Sequence, residues 1–505
     1  MQGRSPAVWR QLAASHLKRG DLLEAIHCLN ALVRTPAANT SDFLLLGDCL
    51  WSDYRFPEAL DAYRKAATGT AQRDASLVAA RRLFSLGRFS DSATALELAL
   101  AASPSDPDIL RMLAELRERQ GRPSDAEPLA RAALAINPDL RRATRALALI
   151  LRRLGRTDEA ISILHLALQK GPHPDNWRLL IELAAALDAS ADYPAAMAAL
   201  LASRDLLRPL ASPAHARWQL NSARRESLAA SISASDLARW LASPPPDNLP
   251  ASIAFLAGHP RSGTTLLENL LASSPNVLTT DETGILHHEF IRPLTLDPPS
   301  TSAALSEIHS FDPDQLAAGR DFYRRATSAH LGQPIGHNLL IEKDPLLTQD
   351  LLLPLRLFPE ASVIMPLRDP RDVAISFFFT IVPLAGDSTA ALDLASAVQS
   401  VALSLKLWQR WKSILPQPWL EVRYETLVAN PAPTIATVRN FLNLPEPPLS
   451  PHSPDHLRGI RTPSYADVSR PVHQRSVGRW HHYAKWLEPV LTPLDPLLRD
   501  FAAPS

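Results

Sequence analysis

Cysteine is almost absent from this chain. Only Cys28 and Cys49 occur among 505 residues, and both fall in the N-terminal part. A disulfide framework is not expected, and a reducing compartment is implied. Charge of one sign is not in excess either, since 52 Lys and Arg face 52 Asp and Glu. That balance argues against a general binder of nucleic acid or anionic membranes, while leaving room for a local basic pocket. No run of about 20 apolar residues occurs, so no membrane span is expected. The opening MQGRSPAVWRQLAASHLKRGD lacks the apolar centre of a secretory signal. These absences point to a cytoplasmic protein of about two to four domains.

What is present is repetition. Gly20, Tyr54, Gly87, Gly121 and Gly155 lie 34, 33, 34 and 34 residues apart. Five residues after each stands a small side chain: Ala25, Ala59, Ser92, Ala126, Ala160. Twelve residues after each come Leu32, Ala66, Ala99, Ala133 and Ala167, and Pro104, Pro138 and Pro172 close the last three units. A weaker sixth copy runs through ADYPAAMAALLAS, with Ala196 in the small-residue slot. Glycine suits a turn between antiparallel helices, alanine lets them approach, and proline ends the second helix. This pattern resembles the tetratricopeptide (TPR) repeat. The resemblance implies an all-α solenoid over residues 1–210, with five to six units and a concave face that takes a protein or peptide partner. Cys28 and Cys49 fall inside it and read as packing residues.

Residues 211–250 lose the period. ARWQLNSARRESLAASISASDLARWLAS still reads as helix, and PPPDNLPAS then breaks it. Three successive prolines favour an extended spacer, so a helical connector and linker are expected at 211–250.

The stretch AGHPRSGTTLLENLL, residues 257–271, follows the apolar run SIAFLAG and leads into helical periodicity. Strand, glycine turn and helix together form an anion cradle. The backbone of Arg261, Ser262, Gly263, Thr264 and Thr265 would face the anion, with side-chain donors from Arg261, Thr264 and Thr265. Gly258 and Gly263 keep the spacing of a nucleotide-hydrolysing P-loop, yet Thr264 stands where that loop carries lysine. Without that lysine a metal-bound triphosphate fits poorly. A sulfuryl donor, whose transferred group carries less charge, fits better.

PRSGTTLLENLLASSPNVLTTDET resembles the 5′-phosphosulfate loop of sulfotransferases, above all the tyrosylprotein sulfotransferases, and TPR units ahead of it resemble bacterial TPR-linked sulfotransferases. The resemblance covers roughly residues 251–490. It implies a three-layer α/β, P-loop-like domain at 251–505 with a mostly parallel sheet. It also implies 3′-phosphoadenosine-5′-phosphosulfate (PAPS) as donor and 3′,5′-ADP as product. Within SVIMPLRDPRDVAISFFF, Arg368 and Ser376 match the residues that hold the 3′-phosphate; pairing of Arg368 with Asp372 is the alternative. In LLIEKDPLL, Lys343 matches a lysine that stabilises the leaving group, a solvent-facing lysine being the alternative. Glu282 of TTDETG matches the catalytic base, with Asp281 as its neighbouring alternative and a local ion pair as the plainer reading. In TPSYADVSRPVHQRSVGRW, Ser464 matches a serine on the 5′-phosphosulfate and Arg479 a basic residue near the leaving group. Tyr424 of LEVRYETLVANPAP would lie against the adenine.

Gly284 occupies the slot where the tyrosylprotein enzymes carry an arginine near the peptide. That departure leaves the donor chemistry intact and the acceptor open: protein tyrosine first, then glycan or small molecule. His287–His288 and His481–His482 lack ligand spacing, so no metal is expected. The rival readings are a P-loop kinase or NTPase and a non-catalytic TPR adaptor with a nucleotide-binding domain. Nothing in the sequence speaks to oligomeric state.

Overall fold

A computed structural model describes residues 5–67, 72–242, 252–380, 386–445 and 472–502. The proline-rich residues 244–251, expected as a linker, lie outside them. Two compact units emerge, one made mainly of residues up to Arg156, the other of most of the chain from Thr157 onward.

The helices of the repeats appear in the expected register. They are α1 (Pro6–Arg19), α2 (Leu22–Leu32), α3 (Thr40–Ser52), α4 (Phe56–Ala66), α5 (Gln72–Ser85) and α6 (Phe89–Ala102). The series continues with α7 (Pro107–Arg119), α8 (Pro123–Ile136), α9 (Arg141–Arg153), α10 (Thr157–Gln169), α11 (Asn176–Ala189) and α12 (Tyr193–Ser231). All five turn residues at the repeat positions have left-handed backbone, with φ of 79° at Gly20, 59° at Tyr54, 70° at Gly87, 73° at Gly121 and 78° at Gly155. The sixth turn repeats this at Ala191, φ 62°. The residues of the small-side-chain slot, Ala25 through Ala196, are all buried. In the first unit, ion pairs join successive repeats, among them Arg10–Asp42 at 2.7 Å and Arg153–Glu118 at 2.8 Å.

In the second unit α12 does not stop where the period does. It runs 39 residues through Pro209 and Pro213, and α13 (Ala234–Ala242) follows. The α/β part begins with β1 (Ile253–Leu256), α14 (Thr264–Ala272) and β2 (Val277–Thr279). Next come α15 (Thr301–Ser310), α16 (Pro313–Leu331), β3 (Leu339–Lys343), α17 (Leu347–Asp350) and α18 (Leu352–Leu357). β4 (Ser362–Leu367), α19 (Pro370–Phe378), α20 (Leu394–Lys412), β5 (Trp419–Arg423), α21 (Tyr424–Ala429) and α22 (Pro431–Phe441) follow, and a last helix spans Asp495–Ala502. The strands are ordered β2-β3-β1-β4-β5, and every pairing is parallel.

Side-chain alternation divides the sheet into two faces. Leu256, Ile341, Ile364 and Val422 pack with Leu267 and Leu271 of α14, Leu427 of α21 and Val438 of α22. On the opposite face Phe255 meets Phe358, which in turn meets Tyr323 of α16. Helices on both faces give the three layers. Chain order reverses direction across β1, with β3 on one side and β4 on the other. A crevice outside the strand C-termini is expected at such a point.

Residues of α12 reach into the α/β part. Arg225, 1% exposed, holds both carboxylate oxygens of Asp350 at 2.8 Å and those of Asp387 at 2.7 and 3.0 Å. Arg204 donates to the carbonyls of Phe378, the last residue of α19, and of Thr380 just past it. Removing one member of a buried ionic group leaves its partners charged without compensation. Arg225→Ala is therefore expected to lower unfolding free energy by about 3–5 kcal/mol, read from urea melts of the full chain. A loss too small to resolve would show that water already screens the trio.

Candidate active site

The loop after β1 is shaped by two glycines. Gly258 has φ 122°, and a Cβ there would stand 2.9 Å from Ser262 Oγ. Gly263, φ 100°, begins α14, and its Cβ would stand 2.6 Å from Tyr424 Cδ2. Neither position admits a side chain without displacing a neighbour. Arg261 itself has φ 77°. Thr348 of α17 clasps the loop from below, accepting from Gly258 N at 2.6 Å and donating to its carbonyl at 2.9 Å.

Beside this loop lies a cavity of about 680 Å³ at the C-terminal edge of the sheet. Arg261, Gly263, Thr264, Thr265, Glu282, Arg368, Ser376 and Tyr424 all line it. Eight of the sequence-derived candidates, from five separate elements, therefore meet in one place. Ser262 is buried beneath them.

The polar groups there are organised but not saturated. Arg261 Nε donates to Ser376 Oγ at 3.0 Å. Arg368, 6% exposed, donates to Arg261 O at 3.1 Å and to Ser476 O, and its guanidinium lies 4.7 Å from the Tyr424 ring. Its Asp372 partner is 3.8 Å away and is itself occupied by the amides of Gly478 and Trp480. Burial raises the Asp372 carboxyl despite the nearby Arg368. Arg368 Nε and Ser262 Oγ are buried with no hydrogen-bond partner. Orphaned buried donors at a helix N-terminus suit an oxyanion, which brings only acceptors.

The acid end is built around Lys343. Its Nζ, 0% exposed, lies 2.8 Å from Glu282, 3.1 Å from Asp281 and 3.2 Å from Glu268. Burial alone would lower the lysine; the three carboxylates overcome this and raise it. Lys343 does not line the cavity. The structure gives it three carboxylate partners on the α14 side of the sheet. Strand parity explains the direction, because Lys343 shares its face with Ile341, toward α14.

The C-terminal part matches the sulfotransferase family over residues 254–448. Tetratricopeptide repeats match at 10–75, 77–141 and 118–173. The chain carries a sulfotransferase-family domain behind tetratricopeptide repeats. An uncharacterized protein of Aquifex aeolicus is 25% identical over 258 residues, covering 50% of this chain and 33% of its own length. Protein-tyrosine sulfotransferase 1 of Danio rerio is 29% identical over 201 residues, 38% of this chain and 53% of that protein. The nodulation protein NoeE of Sinorhizobium fredii is 29% identical over 259 residues, 45% of this chain and 59% of NoeE. The chain thus spans about a third to three-fifths of the length of these relatives.

Two further candidates of the sulfotransferase domain are Ser464 and Arg479. Ser464 lies outside the described residues. Arg479 pairs with Asp188 of α11 at 3.0 Å, lies over the Phe379 ring at 4.3 Å, and does not line the cavity. Its partner is 291 positions away in the chain, so no local pattern announced it. Sequence reasoning also missed residues that the fold brings in. His259 and Ser400 line the cavity together, as do Asp344 and Asp387. Glu268 was missed as well; its one signal is a charged residue on the buried face of α14, beside Leu267 and Leu271.

His259 is held neutral. Its Nδ1 is 2.7 Å from the Pro260 carbonyl, which can only accept, so Nδ1 carries the proton and Nε2 accepts from Ser400 Oγ at 3.0 Å. Burial lowers its pKa to about 4. The unfolded chain takes up a proton near the ordinary value of 6.5, and the fold does not until about 4. Stability from this residue is therefore complete above pH 6.5 and declines as pH falls toward 4. Urea melts at pH 7 and pH 5 should show about 2 kcal/mol less difference in a His259→Gln variant than in the unaltered chain. An equal difference in both would show that His259 titrates normally.

Proposed function

We propose that this domain transfers a sulfuryl group from PAPS to an acceptor hydroxyl, leaving a sulfate ester and 3′,5′-ADP. The observation that carries the reading is the convergence of the glycine loop, Arg368, Ser376 and Glu282 on one cavity at the sheet's C-terminal edge. The orphaned Ser262 Oγ and Arg368 Nε support an oxyanion ligand beside it. A P-loop NTPase is disfavoured by Thr264 at the lysine position.

PAPS, when bound, supplies the activated sulfuryl group. The loop from Arg261 to Thr265 and the N-terminus of α14 would hold its 5′-phosphosulfate. Arg368 and Ser376 would hold the 3′-phosphate, with bidentate capacity from the guanidinium. Tyr424, already against Gly263, would face the base. Glu282 takes the proton from the acceptor hydroxyl. Its carboxylate reaches the cavity at 37% side-chain exposure while Lys343 fixes it from beneath. Stabilisation of the leaving group then rests on the loop and Ser464. Lys343, enclosed by carboxylates, orients the base. No cation is needed to bridge phosphates at this loop, and transfer is expected to tolerate EDTA.

The acceptor hydroxyl belongs to a protein or peptide, with tyrosine first. Support comes from the repeats, which present a face for protein binding, and from the relatives named protein-tyrosine sulfotransferases. The cytoplasm is the proposed setting. Cys28 and Cys49 form no disulfide, and no helix among the described residues is long and apolar enough to cross a membrane.

Incubation with ³⁵S-labelled PAPS and a native lysate should label acceptor species in an EDTA-resistant manner. No ³⁵S transfer from PAPS, with ³²P transferred instead from magnesium-bound γ-³²P-ATP, would overturn the reading. Glu282→Gln is expected to slow that transfer by about 10²-fold or more while 3′,5′-ADP binds nearly as before. Undiminished transfer would remove the base role. By calorimetry, Arg368→Ala should weaken 3′,5′-ADP and leave 5′-AMP unaffected; equal losses for both would remove the 3′-phosphate role.

A further inference from the structure

Glu282 sits on a strained turn. Asp281 and Glu282 have φ of 50° and 61°, a region that non-glycine residues occupy only when their surroundings hold them there. Three hydrogen bonds do so. Glu282 N donates to Lys343 O at 3.0 Å, and Lys343 N donates to Thr280 Oγ1 at 3.0 Å. Both tie the turn to β3. The third runs to a different element: Asp281 N donates to Glu268 Oε1 at 3.0 Å. It joins the turn to α14, the helix whose N-terminus forms the anion cradle.

The second oxygen of Glu268 also has an assignment, 3.2 Å from Lys343 Nζ. That ammonium is the one that holds Glu282. Glu268 is 3% exposed and does not line the cavity, so it cannot touch a ligand there. A helix needing only to be packed would carry an apolar side chain at this position, since burying a carboxylate is unfavourable without partners. Here each oxygen meets a group that places Glu282.

We propose that Glu268 is a positioning residue for the catalytic base: one oxygen fixes the backbone of the turn at Asp281, and the other holds the Lys343 ammonium against Glu282. The anion cradle and the base are then set by one rigid helix, so the acceptor hydroxyl and the donor are kept in register. The inference rests on the reading of Glu282 as base.

Two variants of the full chain separate the two oxygens. Glu268→Gln keeps an acceptor for the Asp281 amide but presents an NH₂ to Lys343. Glu268→Ala removes both contacts. Hydrogen exchange is read on the peptide spanning residues 280–283. It should rise about tenfold in Glu268→Ala and stay near the unaltered value in Glu268→Gln. Binding of 3′,5′-ADP, measured by calorimetry, counts folded sites and should stay within about threefold in both. Per folded site, ³⁵S transfer at saturating PAPS should fall roughly 10–100-fold in Glu268→Ala and by a smaller factor in Glu268→Gln. The donor KM should remain within about threefold. In a Glu282→Gln background, Glu268→Ala should add less than about threefold, because both act through one group.

Unchanged exchange in Glu268→Ala, or full multiplication of the two rate losses, would overturn the positioning role. Loss of nucleotide binding in step with turnover would do so too, reducing Glu268 to a folding residue. Failure of the broader reading looks different: no label from the unaltered protein, or a fully active Glu282→Gln.

Discussion

The buried ammonium of Lys343 is the constraint on which the acid end of the site depends. An isolated ammonium taken out of water is penalised by several kcal/mol, so it persists only with close counter-charges. Three carboxylates surround it, from α14 and from the turn after β2. One positive charge against three negative ones leaves an imbalance. Burial, only partly countered by Lys343, pushes Glu268 up to about 7. Glu282 is the most exposed of the three and the one that lines the cavity.

The same logic operates one layer away. Asp350 and Asp387 stand close together near the cavity wall, and Arg225 of α12 compensates both. Asp188 of α11 receives Arg479 and the Tyr483 hydroxyl, while Tyr193 stacks on His482 at 4.0 Å. The family match begins at residue 254, yet these partners come from before it. The last repeat helices are therefore structural members of the α/β unit. Compactness divides the chain near residue 156, well ahead of the proline-rich stretch.

Much of the fold was legible because it is local. A left-handed turn residue every 34 or so positions, with small side chains at fixed offsets, specifies a helix pair without reference to anything distant. The glycine loop was legible for the same reason: strand, turn and helix are contiguous, and φ at Gly258 and Gly263 follows from that geometry. Arg368, Ser376, Tyr424 and Glu282 were found by motif, and the parallel sheet then delivered them to one edge. The environment of Lys343 was not legible. A lysine at a strand end reads as exposed or as ligand-facing, and nothing in LLIEKDPLL shows that Glu268 waits on the helix above.

Sequence alone determined the period of the repeats and the shape of the anion loop, because each depends on neighbours within one or two turns of chain, and its motifs named some of the side chains that meet there. Tertiary structure decided which of them share a cavity, that Lys343 faces carboxylates, and that Arg479 braces α11. Those outcomes are set by strand order and helix placement. They bring together charges dozens to hundreds of residues apart, and the low dielectric of the interior then requires each of them to find a partner.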